Sequence, residues 1–457
     1  MRVSLTAHGP FVALTVVGVW LRLAGLERLP LSPAEAVHAW AAWAAVTGGA
    51  PPDTVAASPL LFALQYGLFT AVGASDTAAR VGPALAGAAA MVAPWSLRRV
   101  LGQPVAVALA ALLAFDPLSI AWARMSTGAA LTGTALWFAM AGALSVQGGS
   151  GRAGVTQSLA AAVLGVTSGP LAWRSGPLWV WASYDTLAYP RRGWRRWLVG
   201  ALAVGLALVV TFGSPHPDDA FRRAPLAAVT DAQTSRAAMP VRVIGRAILA
   251  DEILPITLAA GAAFTPGGVG TRLAVGWLLL AATALLVPAR DGGVWLLAAP
   301  AVLLLAARTL VGIVVAWRES RGSAPARAPF VTALAAMLLV AVHVHRGTEV
   351  RLGPLDARPI VRPMHSDASV RPLACAVEAH VRGRDTRAVA VATPDGRPDA
   401  VLAWYLRDVA DLHWYSRLPD GASPSLTIAT GPASVRPAPS TYVLRHTGDE
   451  AVQAELR

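Results

Sequence analysis

Ser58-Pro59-Leu60-Leu61-Phe62-Ala63-Leu64-Gln65-Tyr66 opens the apolar run 58–74, and whether that run crosses a membrane decides how the whole chain is threaded. A spanning helix needs about 20 mostly apolar residues. Comparable runs lie at about 11–26, 80–97, 103–121, 128–146, 154–169, 171–187, 197–213, 242–262, 272–288, 294–315 and 328–345, twelve in all with 58–74. Short cytoplasmic loops collect basic residues. The most basic loop is Arg191-Arg192-Gly193-Trp194-Arg195-Arg196, and Arg98-Arg99, Arg152 and the segment 318–327 are basic as well. With a cytoplasmic N-terminus and twelve crossings, Arg98-Arg99 and the 191–196 loop would both lie outside. If 58–74 instead rests on the outer surface, or dips in and returns, every basic loop moves inside. Pro59 suits a helix start there. The sequence therefore predicts a polytopic α-helical membrane protein with about 11 transmembrane helices. Its N-terminus is cytoplasmic and its C-terminus extracytoplasmic.

Composition agrees with this class. The chain has 457 residues, 55% of them hydrophobic and only 14% charged, against about 25% charged in an ordinary soluble domain. A soluble enzyme, a disordered chain and a coiled coil are excluded. All 38 basic residues are Arg, with no Lys or Asn anywhere, and the formal net charge is +12. Because the Arg residues sit in short loops between apolar runs, they orient membrane helices and do not mark a nucleic-acid partner. One cysteine, Cys375, leaves no intrachain disulfide and no thiolate metal site. The run after Met1-Arg2 reads as a membrane helix, since no small-residue cleavage site follows it.

The acidic residues divide the chain differently: 13 Asp and Glu lie in 1–345 and 13 in 346–457. Residues 1–345 are expected to form the membrane domain, with an outer-face first loop over 27–79. Residues 346–457 are expected to form an extracytoplasmic soluble α/β domain. Within it, 346–372 reads as an Arg- and Pro-rich linker. Helices are expected near 371–382 and 399–407, and strands at 388–392, 411–416, 425–429 and 442–446. Trp404, Tyr405, Trp414 and Tyr415 could pack its core or meet a sugar. The threading gathers the polar corners 27–79, 115–127 and His216-Pro217-Asp218-Asp219 on the outer face, where any chemistry belongs.

Those corners carry a resemblance. Leu21-Arg22-Leu23 through Pro33-Ala34-Glu35-Ala36-Val37-His38-Ala39, then Ser58-Pro59-Leu60-Leu61, Gly73-Ala74-Ser75-Asp76 and Ala79-Arg80-Val81-Gly82-Pro83, resemble the first outer loop of GT-C lipid-phosphosugar glycosyltransferases. Phe115-Asp116-Pro117-Leu118 with Ala123-Arg124-Met125 resembles that superfamily's second outer loop. The pattern is most similar to family 39, the protein mannosyltransferase-like group. Ala250-Asp251-Glu252-Ile253-Leu254-Pro255 and Ala403-Trp404-Tyr405-Leu406-Arg407-Asp408 resemble its archaeal-type flippase activity-associated members. The resemblance implies transfer of a sugar from a polyprenyl-phosphate donor to an acceptor on the extracytoplasmic face. It also implies an alternative, a non-catalytic lipid-linked-sugar-binding or flippase-associated protein with a degenerate site.

The transfer needs a carboxylate to take the acceptor's proton and donors to hold the leaving phosphate. Glu35 is the candidate base. The family usually presents Asp directly before this Glu, where this chain has Ala34, and no acid follows Trp122-Ala123-Arg124-Met125-Ser126 in the second loop. Glu35 also completes a Ser-x-x-Glu capping box with Ser32, a structural role compatible with the catalytic one. Arg80 and Arg124 are candidate phosphate ligands, with an interfacial anchor the other reading of Arg124. Arg80 needs a partner in Glu35, Asp76 or the lipid phosphate. His38, three residues from Glu35, could orient its carboxylate or bind substrate, or be a surface histidine. Asp251 and Glu252 lie in an apolar run, where acids are costly, and point to the lipid carrier's groove. Glu35, Arg80 and Arg124 are expected to converge on one outward-facing cavity. No cofactor or metal is required, 216–219 reads as a solvated loop, and His343 and His345 are expected at the membrane interface.

Overall fold

A computed structural model of the chain describes residues 5–49, 58–169, 171–172, 175–187, 248–249, 251–262, 271–285, 293–319, 327–352, 370–382, 388–393, 398–409, 411–416, 426–432, 441–445 and 450–456. The 191–196 loop, the run 197–213 and the 216–219 loop lie outside them. The helices in chain order are α1 (Leu5–Leu23), α2 (Pro33–Thr47), α3 (Pro59–Val72), α4 (Asp76–Ala89), α5 (Val92–Leu101), α6 (Gln103–Ala114), α7 (Pro117–Ala123), α8 (Ala129–Gln147), α9 (Gly151–Ser168), α10 (Gly176–Leu187), α11 (Ile253–Gly261), α12 (Thr271–Leu285), α13 (Val294–Glu319), α14 (Arg327–Leu352), α15 (Val370–Arg382) and α16 (Ala400–Tyr405). The strands are β1 (Ala388–Ala392), β2 (Asp411–Tyr415), β3 (Leu426–Pro432), β4 (Thr441–Arg445) and β5 (Glu450–Leu456). Two compact units emerge, both discontinuous: residues 1–25, 57–61 and 80–355 form the first, and 26–56, 62–79 and 356–457 the second. The first-loop residues 26–56 and 62–79 thus group with the tail, a grouping that a single sequence boundary at 345/346 cannot express.

The first unit is helical. Among the described residues, α8 and the Trp295–Glu319 stretch of α13 are long and apolar enough to cross a membrane, and α6 with α7 makes a third span if that bent pair counts as one. The bend is 57°. Its cause is local: Pro117 has no N–H and disfavours helical geometry at Asp116. Asp116 adopts extended backbone and caps α7 by accepting from Ser119 N at 3.0 Å. At 14 residues, α3 is shorter than a spanning helix. Helices α8 and α9 pack as a hairpin through glycines: a Cβ on Gly154 would stand 2.7 Å from the Gly142 carbonyl, so only glycine fits there. Helix α13 packs on α6, α8, α11 and α12, and α14 on α7.

The second unit is built on a five-stranded sheet in the order β2-β1-β3-β5-β4. Strand β1 runs parallel to β2 and β3, with Val389 opposite Leu412 on one side and Leu426 on the other; β5 is antiparallel to both β3 and β4. Val389, Val391 and Ile428 are buried. Helix α15 buries Val370, Leu373, Ala374 and Val377, the i, i+3, i+4, i+7 stripe of an amphipathic helix. Trp404 and Leu402 of α16 and Ala36, Ala39 and Ala42 of α2 join the same core. Trp404 and Tyr405 therefore pack inward. The edge pairing β4–β5 has no counterpart in the sequence reading.

Candidate functional site

In the second unit, Ser32 caps α2. Its hydroxyl accepts from Glu35 N at 3.3 Å, and the Glu35 carboxylate accepts from Ser32 N at 2.8 Å, a reciprocal capping box. Glu35 is fully buried. One turn on, His38 has an enclosed Nδ1 without a hydrogen-bond partner. Desolvation pulls the imidazole pKa down to about 4, against the opposing charge of Glu35, so the ring is neutral at physiological pH.

Asp76, at the start of α4, ties the same unit together. Its Oδ1 accepts from Trp404 Nε1 at 2.8 Å, and its Oδ2 accepts from the Tyr405 hydroxyl at 2.7 Å and from Arg371 Nε at 3.2 Å. Arg371 also donates to the Leu29 carbonyl at 2.8 Å, and Tyr405 Oη accepts from Leu31 N at 2.7 Å. Burial, then the Asp76 charge, pushes the Tyr405 hydroxyl up, so it stays a donor. Arg407 lies over the Trp404 ring at 4.3 Å and donates to the Ala74 carbonyl at 3.1 Å. The two motifs 73–76 and 403–408 are thus halves of one structural knot.

In the first unit, Arg80 is 3% exposed. Arg124, the C-cap of α7, donates to the carbonyls of Leu21 (3.1 Å), Ala24 (2.7 Å) and Gly25 (2.7 Å), and so fastens the turn after α1. Arg22 is buried and donates to the carbonyls of Gly18, Leu113 and Ala114 at 2.9, 2.9 and 3.4 Å. A small cavity of about 20 Å³ is lined by Arg22, Leu113, Ser119, Thr134, Trp137 and Leu296 among others. Arg80 and Arg124 belong to this unit and Glu35 to the other.

Asp251 and Glu252 do not share an environment. They stand at a bend before α11, where Glu252 leaves helical geometry. Asp251 lies 3.5 Å from Arg346. Glu252 turns to Asp116 and His343, and one potential ligand atom from each of these three residues lies within 4.8 Å of the others. This is the group of described residues able to hold a metal ion. All three are buried: Asp116 and Glu252 are 0% exposed and His343 is 2%. Asp116 Oδ2 accepts from Ser119 N and from Trp295 Nε1 at 3.1 Å. Glu252 Oε1 accepts from Leu118 N at 2.9 Å. His343 Nε2 lies 3.2 Å from the Leu112 carbonyl.

His343 is therefore a core residue and not an interfacial one, because α14 turns it toward α6 and α7. His345, two residues on, is exposed and pairs with Glu349 at 3.1 Å. The sequence reading passed over Asp116, Trp295 and His343 as members of a site. Their only signal was that each is a polar or indole group inside an apolar run; no spacing links them.

No protein-family model matches the chain, and no curated protein matches it in sequence. Its fold does match solved structures. ArnT from Cupriavidus metallidurans bound to undecaprenyl phosphate aligns with a TM-score of 0.63 at 18% identity, covering 99% of this chain and 98% of that one. The same protein in the apo state gives 0.60 at 16% identity, over 97% of each chain. The oligosaccharyltransferase of Archaeoglobus fulgidus in the apo form gives 0.52 at 12% identity, over 90% of this chain and 64% of that one. The chain thus shares the fold of these solved structures.

Proposed function

We propose that this protein is a membrane glycosyltransferase that moves a sugar from a polyprenyl-phosphate donor to an acceptor on the extracytoplasmic face. The observation that carries the reading is the end-to-end correspondence with a structure that holds undecaprenyl phosphate. In the proposed reaction the acceptor oxygen attacks the anomeric carbon and gives its proton to Glu35. The bond from that carbon to the phosphate oxygen breaks, and inversion follows. Arg80 and Arg124 hold the departing lipid phosphate, and His38 keeps the Glu35 carboxylate oriented. Asp251 and Glu252 line the carrier's path. The step needs no metal, because guanidinium donors can offset the phosphate charge. The enclosed position of Glu35 with the neutral His38 one turn on supports this reading.

A second reading keeps the lipid and removes the chemistry. Ala34, the acid-free second loop, the capping box that occupies Glu35 and the three carbonyls that occupy Arg124 favour a binding protein with a degenerate site. One experiment separates the two. Purified protein is given undecaprenyl phosphate and a panel of undecaprenyl-phosphate sugars. The enzyme reading expects binding and turnover, with Glu35→Gln cutting transfer by at least about 100-fold while retaining lipid binding. Binding without turnover on any donor leaves the degenerate reading. Absence of lipid binding sinks both.

A further inference from the structure

Every polar group in the Asp116, Glu252 and His343 cluster is oriented at one end and bare at the other. Asp116 Oδ1, Glu252 Oε2 and His343 Nδ1 are enclosed and meet no donor from outside the cluster; within it the Asp116 and Glu252 carboxyls stand close enough to share a proton. Three such atoms on three neighbouring side chains are exceptional, because buried polar atoms are almost always satisfied. The opposite ends explain how the bare atoms are held. Ser119 N and Trp295 Nε1 fix Asp116, and Leu118 N fixes Glu252. The Leu112 carbonyl facing His343 Nε2 can only accept, so Nε2 carries the proton and Nδ1 presents a lone pair. A histidine whose far nitrogen donates to a backbone carbonyl is the usual arrangement of a metal ligand.

We propose that Asp116, Glu252 and His343 bind one divalent metal ion, of the zinc class, inside the first unit. Two carboxylate oxygens and one imidazole nitrogen suit Zn²⁺, which takes such ligands at about 2.0–2.2 Å. Tetrahedral donors at that distance stand about 3.4 Å apart, so the ion draws the three side chains together from their spread of up to 4.8 Å. Among the described residues no cation lies within ion-pair distance of either carboxylate: Asp251 has Arg346, and Arg22, whose guanidinium donates to carbonyls, acts on Asp116 only through space. Two buried carboxylates in this state are strongly unfavourable. The ion would join the start of α7, the bend before α11 and the middle of α14, and leave a fourth position for water or another oxygen ligand. The rival occupant is a proton shared between the two acids. The inference does not depend on the transferase reading, and either can fail alone.

The test uses the full chain in detergent, stripped with chelator and titrated with Zn²⁺. The expected result is about one Zn²⁺ per chain and a rise in unfolding temperature. Co²⁺ in its place should give visible absorption of a low-symmetry N/O site. Glu252→Gln and His343→Gln should each weaken Zn²⁺ binding by at least about 100-fold, more than the 10–100-fold typical of losing an outer partner. His345→Ala should leave binding unchanged, since it removes only an exposed imidazole. If one ligand variant fails to fold, the other carries the test. No stoichiometric uptake, or uptake that survives both ligand variants, overturns the site. So does a stability that follows pH but not Zn²⁺, the mark of a shared proton.

Discussion

Asp76, partly buried, and Asp116, fully buried, stand at the N-terminal ends of helices, one in each unit, and their surroundings differ in kind. Asp76 is met on both oxygens, by an indole, a phenol and a guanidinium. Asp116 is met on Oδ2 by a backbone amide and an indole, and its carboxyl stands beside another carboxylate and an imidazole. The first arrangement is closed: charge, donors and acceptors balance within the protein. The second lacks one positive partner. A buried polar network that closes on itself rigidifies a fold, whereas one left open points to a missing ligand. The sequence motifs around Asp76 thus report architecture, and the quieter residues around Asp116 report a site.

Removing each acid separates these two cases most sharply. Asp76→Ala leaves Arg371, Trp404 and Tyr405 without their acceptor. A loss of about 3 kcal/mol is expected, the upper end for hydrogen bonds to a charged group, because the pair is only partly buried. Hydrogen exchange of the β1 and β3 amides reads it, and protection equal to the wild type would show that the knot is not structural. In metal-free protein, Glu252→Gln is expected to act in the opposite direction, with unchanged or raised stability, because it removes one of two facing negative charges. A loss comparable to that of Asp76→Ala would mean that the second cluster is closed after all.

Tyr405→Phe is a smaller cut in the same knot. It deletes one donor to Asp76 and the acceptor of the Leu31 amide, while Arg371 and Trp404 continue to hold the carboxylate. Losing a hydrogen bond of this kind costs about 0.5–1.5 kcal/mol. Exchange of the Leu31 amide should quicken more than that of β1; uniform quickening would place the tyrosine in the global core instead.

How much of this was legible follows the range of the interactions. The capping box of α2 could be read because Ser32 and Glu35 are three residues apart and the motif is local. The bend at Asp116-Pro117 could be read for the same reason. Helix α15 was visible as its i, i+3, i+4, i+7 stripe. Strand β5 was not: Glu450-Ala451-Val452-Gln453-Ala454-Glu455-Leu456 contains good helix formers, and only pairing with β3 and β4 makes it a strand. The Asp76 knot and the Asp116 cluster were beyond reach as clusters, because tertiary packing alone unites their members. The sequence did offer Asp251-Glu252 as one functional pair; the backbone bend sends their side chains to different partners.

The smallest expected effect decides how the transferase test can be interpreted. Glu35 does two things at once in the proposed reading, closing the capping box and accepting a proton. Truncation to alanine removes both, so an inactive Glu35→Ala would be ambiguous. The box contributes about 1 kcal/mol, the usual worth of an N-terminal cap, and Glu35→Ala should lose at least that much. Glutamine can replace glutamate in a capping box, because its amide oxygen still accepts the N-cap amide proton. The Ser32 N–H that now reaches the carboxylate at 2.8 Å therefore keeps an acceptor. Glu35→Gln should therefore unfold closer to the wild type than Glu35→Ala does. Exchange protection of the first turn of α2 measures this directly. If protection holds and transfer is lost, the carboxylate acts as the base; if protection collapses with glutamine, the charge itself is structural and the base must be sought elsewhere.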